Sequence, residues 1–165
     1  MILLYLSDVK GDSQITGYED WISCTNVSWE ITREFSESAK AGTRDINVGV
    51  ADLPPITISK TFDKSSMELM FAAAGKGKVS TEAKIHFLAT GDTATPANNL
   101  YLEFKLDNPI IASWSISADE DDRPTEEVSL WYWKVWMKYY TYDGSSYVAA
   151  GDKGWDRIAN KAWAP

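Results

Sequence analysis

Apolar and polar residues alternate along most of this chain, which is the pattern of half-buried β-strands. The alternation is regular in segments 27–35, 56–62, 79–87, 100–106 and 110–117. Because successive side chains of a strand point to opposite faces, each of these segments offers one apolar face to a core. There are enough such segments to close a barrel or a sandwich. We expect a mainly β protein, an antiparallel β-barrel.

One segment, about residues 65–75, follows a helical pattern instead. Ser65 and Glu68 have the spacing of a capping box, and Gly75 is a natural helix end. Its apolar side chains recur at helical spacing and predict a stripe that packs into the core, made of Met67, Met70, Phe71 and Ala74. We therefore expect one amphipathic α-helix that flanks the barrel.

The segment 128–140 predicts a single long strand that is apolar on both faces. A strand covered on both sides needs a helix, a second sheet or another subunit over its outer face. We expect its outer aromatic residues to pack against the helix or across a subunit interface. These candidates are Trp131, Trp133, Trp136 and Tyr139.

The chain has 165 residues, of which 44% are apolar, and this size favours one domain over residues 1–165. An extended loop is expected at about 36–55, where charges of both signs precede a proline pair. A turn followed by a C-terminal arm is expected from about residue 143. The apolar N-terminus lacks a basic leader and is too short to span a membrane, so it predicts a first strand.

Composition and motifs give no sign of an enzyme. The net charge of −8 disfavours a nucleic-acid partner, since an acidic surface repels phosphates. Cys24 is the single cysteine and is expected to be a buried small hydrophobe, while the single histidine, His86, is expected at the surface. No nucleophile motif or phosphate loop is present. We expect no catalytic site and no cofactor.

The acidic run at residues 119–122 does not have the spacing of a calcium loop. It predicts either a solvated loop or a charged contact between subunits, and no metal site is expected.

Two functions fit the pattern up to this point. The first is a structural subunit whose outer faces pack on neighbouring copies, because buried aromatic area is common at subunit contacts. The second is a carbohydrate-binding β-sandwich that stacks sugar rings on Trp131 and Trp133. The pattern favours assembly.

A series of short motifs, in order along nearly the whole chain, resembles the haemolysin-coregulated protein (Hcp) family, the tube subunit of bacterial type VI secretion. These motifs are residues 8–13 (Asp-Val-Lys-Gly-Asp-Ser), 58–66 (Ile-Ser-Lys-Thr-Phe-Asp-Lys-Ser-Ser), 110–117, 122–126 (Asp-Arg-Pro-Thr-Glu) and 154–156 (Gly-Trp-Asp). The segment 122–126 followed by Val128 is the most specific of them.

The resemblance implies a compact β-barrel with one helix, assembled into hexameric rings that stack into a hollow tube. It also implies sheath and spike components as partners, small effector proteins in the lumen, no membrane insertion, and secretion from the bacterial cytoplasm without a cleaved signal peptide. A phage-type tail-tube protein would share this architecture.

The same resemblance suggests which residues act in assembly. The extended loop is the candidate for contact with the next ring, through Lys40, Arg44, Asp45, Asp52 and Leu53. Ser28, Glu30 and Ser117 are candidates for the wall of the lumen.

Overall fold

The computed structural model describes residues 1–37, 46–90 and 99–165. The strands of its first half are β1 (Ile2–Leu6), β2 (Ile22–Cys24), β3 (Asn26–Ser28), β4 (Thr32–Glu37), β5 (Ile46–Asp52) and β6 (Ile56–Thr61), followed by the helix α1 (Ser65–Ala74). The second half contains β7 (Glu82–Leu88), β8 (Leu100–Asp107), β9 (Ile110–Ser117), β10 (Thr125–Trp131), β11 (Lys134–Tyr142), β12 (Tyr147–Asp156) and β13 (Lys161–Ala162).

Seven strands form one antiparallel sheet in the order β13-β12-β11-β8-β7-β1-β2. Four others form a second antiparallel sheet in the order β3-β6-β10-β9. Buried aliphatic side chains of the two sheets belong to one core, for example Leu4 and Ile85 from the first and Ile58 and Val128 from the second. The predicted antiparallel, mainly β fold with one helix is confirmed.

The predicted single strand at 128–140 is wrong, because the chain leaves one sheet and enters the other at Tyr132. β10 belongs to the four-stranded sheet and β11 to the seven-stranded sheet. The side chain of Tyr132 is fully buried at this crossing, and its hydroxyl donates a hydrogen bond of 3.2 Å to the carbonyl oxygen of Pro54. The apolar character on both faces thus reflects a change of sheet.

β4 and β5 pair with each other in a two-stranded sheet that joins neither larger sheet within the described residues. The segment 36–55, expected to be a loop, therefore contains a strand over Ile46–Asp52. Residues 38–45 lie outside the described part of the chain. A lone hairpin is only marginally stable in water, so this one depends on what packs against it.

The helix α1 lies where the sequence predicts it, but it turns a different side to the core. Its buried residues are Ser65, Ser66 and Leu69, whereas Phe71 is 73% exposed and Met67 is 65% exposed. The predicted core stripe is therefore at the surface. The predicted capping box is also absent, because the backbone N–H of Ser65 donates to the carboxylate of Asp63 at 2.8 Å instead.

The segment from about residue 143, expected to be a turn and a C-terminal arm, contains the turn of the long β11–β12 hairpin, the strand β12 and the short strand β13. The carboxylate of Asp143 organises the connecting turn by accepting the backbone N–H groups of Ser145 and Ser146. No helix in the described residues has the length and apolar character needed to cross a membrane.

Candidate assembly surfaces

The outer face of the four-stranded sheet is covered by short hydroxyl side chains, and we call it the hydroxyl face. Strand alternation puts Val27, Ile58 and Val128 on the core side and their neighbours outside. The hydroxyl face consists of Asn26, Ser28, Thr57, Ser59, Thr61, Ser113, Ser115, Ser117, Thr125, Glu127 and Ser129. Glu127 is its one charged member. The face is therefore polar, smooth and close to neutral.

The strand register aligns these hydroxyls in rows across the sheet. One row runs Ser28, Thr57, Ser129 and Ser113, and within it the hydroxyl oxygens of Thr57 and Ser129 lie 3.0 Å apart. Two of the proposed lumen residues, Ser28 and Ser117, lie on this face at its two opposite edges. Glu30 follows β3 and is exposed.

Strand β9 forms an open edge of the same sheet. Within the described residues it pairs with β10 on one side, and on its other side its first two residues, Ile110 and Ile111, bond to the backbone of Gly77 and Lys78 after α1. No strand of the described residues pairs with that side beyond Ile111. Ile116 is 47% exposed although its neighbours Ser115 and Ser117 occupy the outer face. An edge strand presents unpaired N–H and C=O groups on which another chain can add a strand. β9 is thus a surface suited to a second copy.

A buried ion pair between Lys60 and Glu126 holds this sheet against α1. Both side chains are inaccessible to solvent. The hydroxyl of Ser66 on α1 donates to Glu126 at 2.6 Å, and the indole N–H of Trp114 on β9 donates to the same carboxylate at 2.8 Å. The Lys60 ammonium also reaches Asp63 at 2.8 Å. Two of the family motifs, 58–66 and 122–126, therefore meet in one structural cluster.

A cleft of about 590 Å³ separates the β4–β5 hairpin from the β11–β12 hairpin, and we call it the hairpin cleft. Its lining is mainly apolar and includes Ile31, Leu53, Met137 and Trp155. Arg33 and Lys153 also line it, and they are the charged residues of its described lining. The hairpin further exposes Phe35, Val48 and Val50. An apolar surface of this kind is typical of an interaction site.

Two of the five residues that the sequence analysis proposes for ring stacking lie at this cleft. Leu53 is in its lining and Asp52 ends β5 beside it, with an exposed side chain. Lys40, Arg44 and Asp45 lie outside the described residues.

The four aromatic candidates for subunit packing separate into different environments. Trp136 is only 6% exposed, and its indole N–H donates to Asp152 at 2.9 Å, which leaves little of it for a neighbouring subunit. Tyr139 is half exposed. Trp131 and Trp133 meet edge to face, with ring centres 4.6 Å apart and planes at 85°.

The guanidinium of Arg157 lies 4.7 Å from the ring centre of Trp131 and occupies one face of that ring. A sugar platform needs coplanar, open aromatic faces, and the crossed rings of Trp131 and Trp133 do not provide one.

Sequence reasoning missed a polar cluster around His86, whose predicted surface position is wrong. The side chain is 13% exposed. Its Nδ1 lies 3.2 Å from the Tyr18 hydroxyl, and its Nε2 lies 3.3 Å from Glu103, close enough for an ion pair but not aligned for a hydrogen bond. Burial raises the pKa of Tyr18 to about 12. The apolar–polar alternation of β7 is the same whether its polar face is covered by other side chains, as at His86, or exposed to solvent. The sequence of β7 therefore gives no sign of this cluster.

The remaining candidates for chemistry are the Cys24 thiol and a metal site. Burial raises the pKa of the Cys24 thiol to about 12, which disfavours the reactive thiolate, and Cys24 packs against the core as expected. Within the described ranges, no group of three His, Cys, Asp or Glu residues is arranged to hold a metal ion.

Comparison with solved structures finds the same fold in several secretion proteins. A protein described as "Structure of a type six secretion system protein" superposes with a TM-score of 0.84 at 23% identity, covering 98% of this chain and 98% of its own. Hcp1 from Salmonella typhimurium gives a TM-score of 0.73 at 24% identity, with 98% and 97% covered. The secreted protein Hcp3 from Pseudomonas aeruginosa gives 0.58 at 20% identity, with 94% and 99% covered.

The sequence comparisons add the family. No curated protein matches the chain. The profile of the family described as "Type VI secretion system effector, Hcp" matches residues 3–139, which is most of the chain. The family predicted from the motifs is thereby confirmed, and with it a structural role in the type VI secretion tube instead of an enzymatic one. The chain belongs to the Hcp family of the type VI secretion system.

Proposed function

We propose that this protein forms closed rings, six copies to a ring, that stack into the hollow inner tube of a type VI secretion apparatus. The observation that carries the proposal is a polar, hydroxyl-rich face in a sheet whose edge strand β9 is open. The hydroxyl face can line a passage, and the open edge of β9 can pair with the next copy and so close the ring.

The ring contact joins different surfaces of two copies. The four-stranded sheet ends at β9 on one side and at the short strand β3 on the other. When the open side of β9 lies against the next copy near its β3 edge, the sheet continues from subunit to subunit. Such a head-to-tail contact produces a ring if the rotation between copies closes. The exposed half of Ile116 is covered in this arrangement.

The hydroxyl face then lines the lumen. Ser28, Glu30 and Ser117 are the wall residues in this proposal, together with the rest of the face. Serine and threonine side chains exchange hydrogen bonds with water and offer little apolar area to a passing protein. A wall of this composition lets small effectors move without adhering, and a folded effector of matching size is sheltered there.

The family supplies the wider setting of the proposal. The tube assembles in the bacterial cytoplasm inside a contractile sheath, carries spike components at its tip and leaves the cell through the apparatus itself. The sheath, the spike and the effectors are therefore the partners to test after the ring.

The ring is tested by light scattering on the purified protein after gel filtration. Six copies of the 18.4 kDa chain give a particle of about 110 kDa. Ile116→Ser removes the apolar side chain at the open edge without adding a charge opposite Glu126, and we expect it to yield monomers with a nearly unchanged melting temperature. Ile158→Ser is the matched control, because Ile158 is 68% exposed in the turn that follows β12. Wild-type protein that remains a monomer at every concentration would contradict the proposal.

A further inference from the structure

We propose that the hairpin cleft is the stacking site, and that its occupant is the acidic turn of a second copy in the next ring. The acidic turn is defined as residues 118–122, which contain four consecutive carboxylates. This inference rests on the proposed tube and identifies the two surfaces that join one ring to another.

The cleft has the composition of a docking site for an acidic segment that carries an apolar residue. Its walls are mainly apolar, and its described lining holds two cations and no anion. Both cations, Arg33 and Lys153, are exposed, and neither forms an ion pair with a carboxylate in the described ranges. In a protein of net charge −8, such a lining is unusual.

The acidic turn has the complementary composition. The side chains of Asp119, Glu120, Asp121 and Asp122 are exposed, and none pairs with a cation in the part of the chain that the structure describes. Ala118 begins the turn and is exposed beside these carboxylates. Four like charges in sequence repel one another, and a cationic partner relieves that repulsion.

The two surfaces lie at opposite ends of the four-stranded sheet. The acidic turn leads directly into Thr125, the first residue of β10. The cleft is beside the other end of that strand, since Leu53 lines the cleft and the adjacent Pro54 accepts the hydroxyl of Tyr132, just beyond Trp131. A strand of seven residues spans about 20 Å.

The distance between the acidic turn and the hairpin cleft determines which copies can bring them into contact. The turn of one copy lies about 20 Å from its own cleft, so contact requires another copy displaced along the strand direction. Repeating the contact adds further copies in that same direction. A head-to-tail contact related by translation does not close and produces an open filament, which is the geometry of stacked rings.

The strength of the contact depends on salt and on the ring. Each exposed ion pair is weak alone. A ring presents six copies at once, and multivalent contacts raise the overall affinity far above that of one copy. Because the charges are exposed, we expect stacking at about 50 mM salt and its loss at about 500 mM salt, where the Debye length is shorter.

Charge reversal on each surface tests the inference. Arg33→Glu with Lys153→Glu in the cleft, and Asp121→Lys with Asp122→Lys in the turn, should each leave the ring mass unchanged. Each should weaken end-to-end association at least tenfold, measured by light scattering and by the tube length in electron micrographs. Lys10→Glu with Lys76→Glu is the matched control, since it changes the charge equally on exposed residues that belong to neither surface.

The charge reversals of the cleft and of the turn are then combined in one protein, which gives the most stringent test. A protein that carries all four substitutions regains opposite charges on its cleft and turn, so its stacking should return. Failure of this rescue, or rings that stack equally well in every variant, would overturn the inference and leave the ring proposal intact.

An engineered disulfide between the cleft and the turn traps the stacking contact even when stacked rings dissociate quickly. Val50 is 84% exposed in the cleft lining, and Ala118 is exposed at the start of the turn. Val50→Cys with Ala118→Cys should give an oxidant-dependent ladder above the ring mass. Ser145→Cys with Ala118→Cys is the control and should give none.

The outcomes of the cross-link separate the two proposals. Rings without a ladder would overturn the stacking contact alone. Cross-linked chains from a protein that forms no rings would support the contact and overturn the ring.

Discussion

Lys60 and Glu126 are 66 residues apart in the sequence and form an ion pair whose two side chains are both completely buried. Around this pair, one hydroxyl from α1 and one indole from β9 satisfy the carboxylate. The helix, the centre of the four-stranded sheet and its open edge therefore share a single electrostatic anchor.

Removing one partner of this anchor should be far more costly than removing a neighbouring surface charge. Glu126→Ala leaves the Lys60 ammonium buried with Asp63 as its one remaining carboxylate in the described residues, and we expect a loss of about 3 to 5 kcal/mol in unfolding free energy. Urea denaturation measures it. Glu127→Ala is the control one residue away, exposed on the hydroxyl face, and should change stability by less than about 0.5 kcal/mol. Equal losses would argue against the anchor.

The orientation of α1 can be tested with two residues on its opposite sides. Leu69→Ala should cost about 2 to 5 kcal/mol, because Leu69 is 1% exposed in the core. Phe71→Ala should cost less than about 1 kcal/mol in the monomer, because most of that ring already contacts water. Thermal or urea unfolding measures the two losses of stability. A larger loss for Phe71→Ala would show that the helix presents its other side to the core.

The cluster around Glu103 predicts a pH dependence of stability. Burial favours the neutral acid, but the interaction with His86 and the charges of Lys105 and Lys138 outweigh it and lower the pKa of Glu103 below its ordinary value of 4.5. A carboxyl whose native pKa is depressed stabilises the fold fully above the ordinary value. That stabilisation is lost as the pH falls through the native pKa.

Glu103→Gln should therefore be less stable than the wild type at pH 7, by about 1 kcal/mol for the hydrogen bond from Tyr140 that it weakens. Urea curves recorded at several pH values should converge as the pH falls below 4.5 and through the lowered pKa of Glu103. A difference that does not shrink at any pH below 4.5 would contradict the assignment. Glu82→Gln, a more exposed neighbour on β7, serves as the control.

The hydroxyl face predicts how cargo responds to a bulky wall residue. Ser28→Trp adds a large apolar ring to each of six wall positions, and we expect unchanged ring mass with at least a tenfold loss of effector recovered with the rings. Lys76→Trp, exposed at the end of α1, should leave recovery unchanged. Co-purification followed by mass spectrometry gives the ratio. Equal recovery from both variants would remove Ser28 from the lumen wall.

Alternation predicted much of this fold because most strands bury one face against the core. The same rule reveals the hydroxyl face once Ile58 and Val128 are known to point inward, and Ser28 and Ser117 then lie on that one surface. It could not reveal the crossing at Tyr132, because a strand that passes between two sheets and a strand covered on both sides have the same composition.

The helix shows a second limit. Hydrophobicity placed Phe71 inside, yet the buried charges of Lys60 and Glu126 require a hydrogen-bonding side chain next to them, and Ser66 provides it. A polar cluster can therefore reverse the face that an amphipathic pattern indicates. The pairing of a lysine and a glutamate so far apart in sequence leaves no trace in either local segment.

The distance between Lys60 and Glu126 along the chain also sets an order of events during synthesis. When the ribosome has completed β6 and α1, Lys60 can pair with Asp63 but not with Glu126, since β10 is made at the start of the last quarter of the chain. An ammonium with an incomplete set of partners opposes burial, so the core between the sheets stays open until Glu126 arrives. Truncated products that lack β10 thus cannot form the four-stranded sheet, and we expect them to be excluded from the proposed ring.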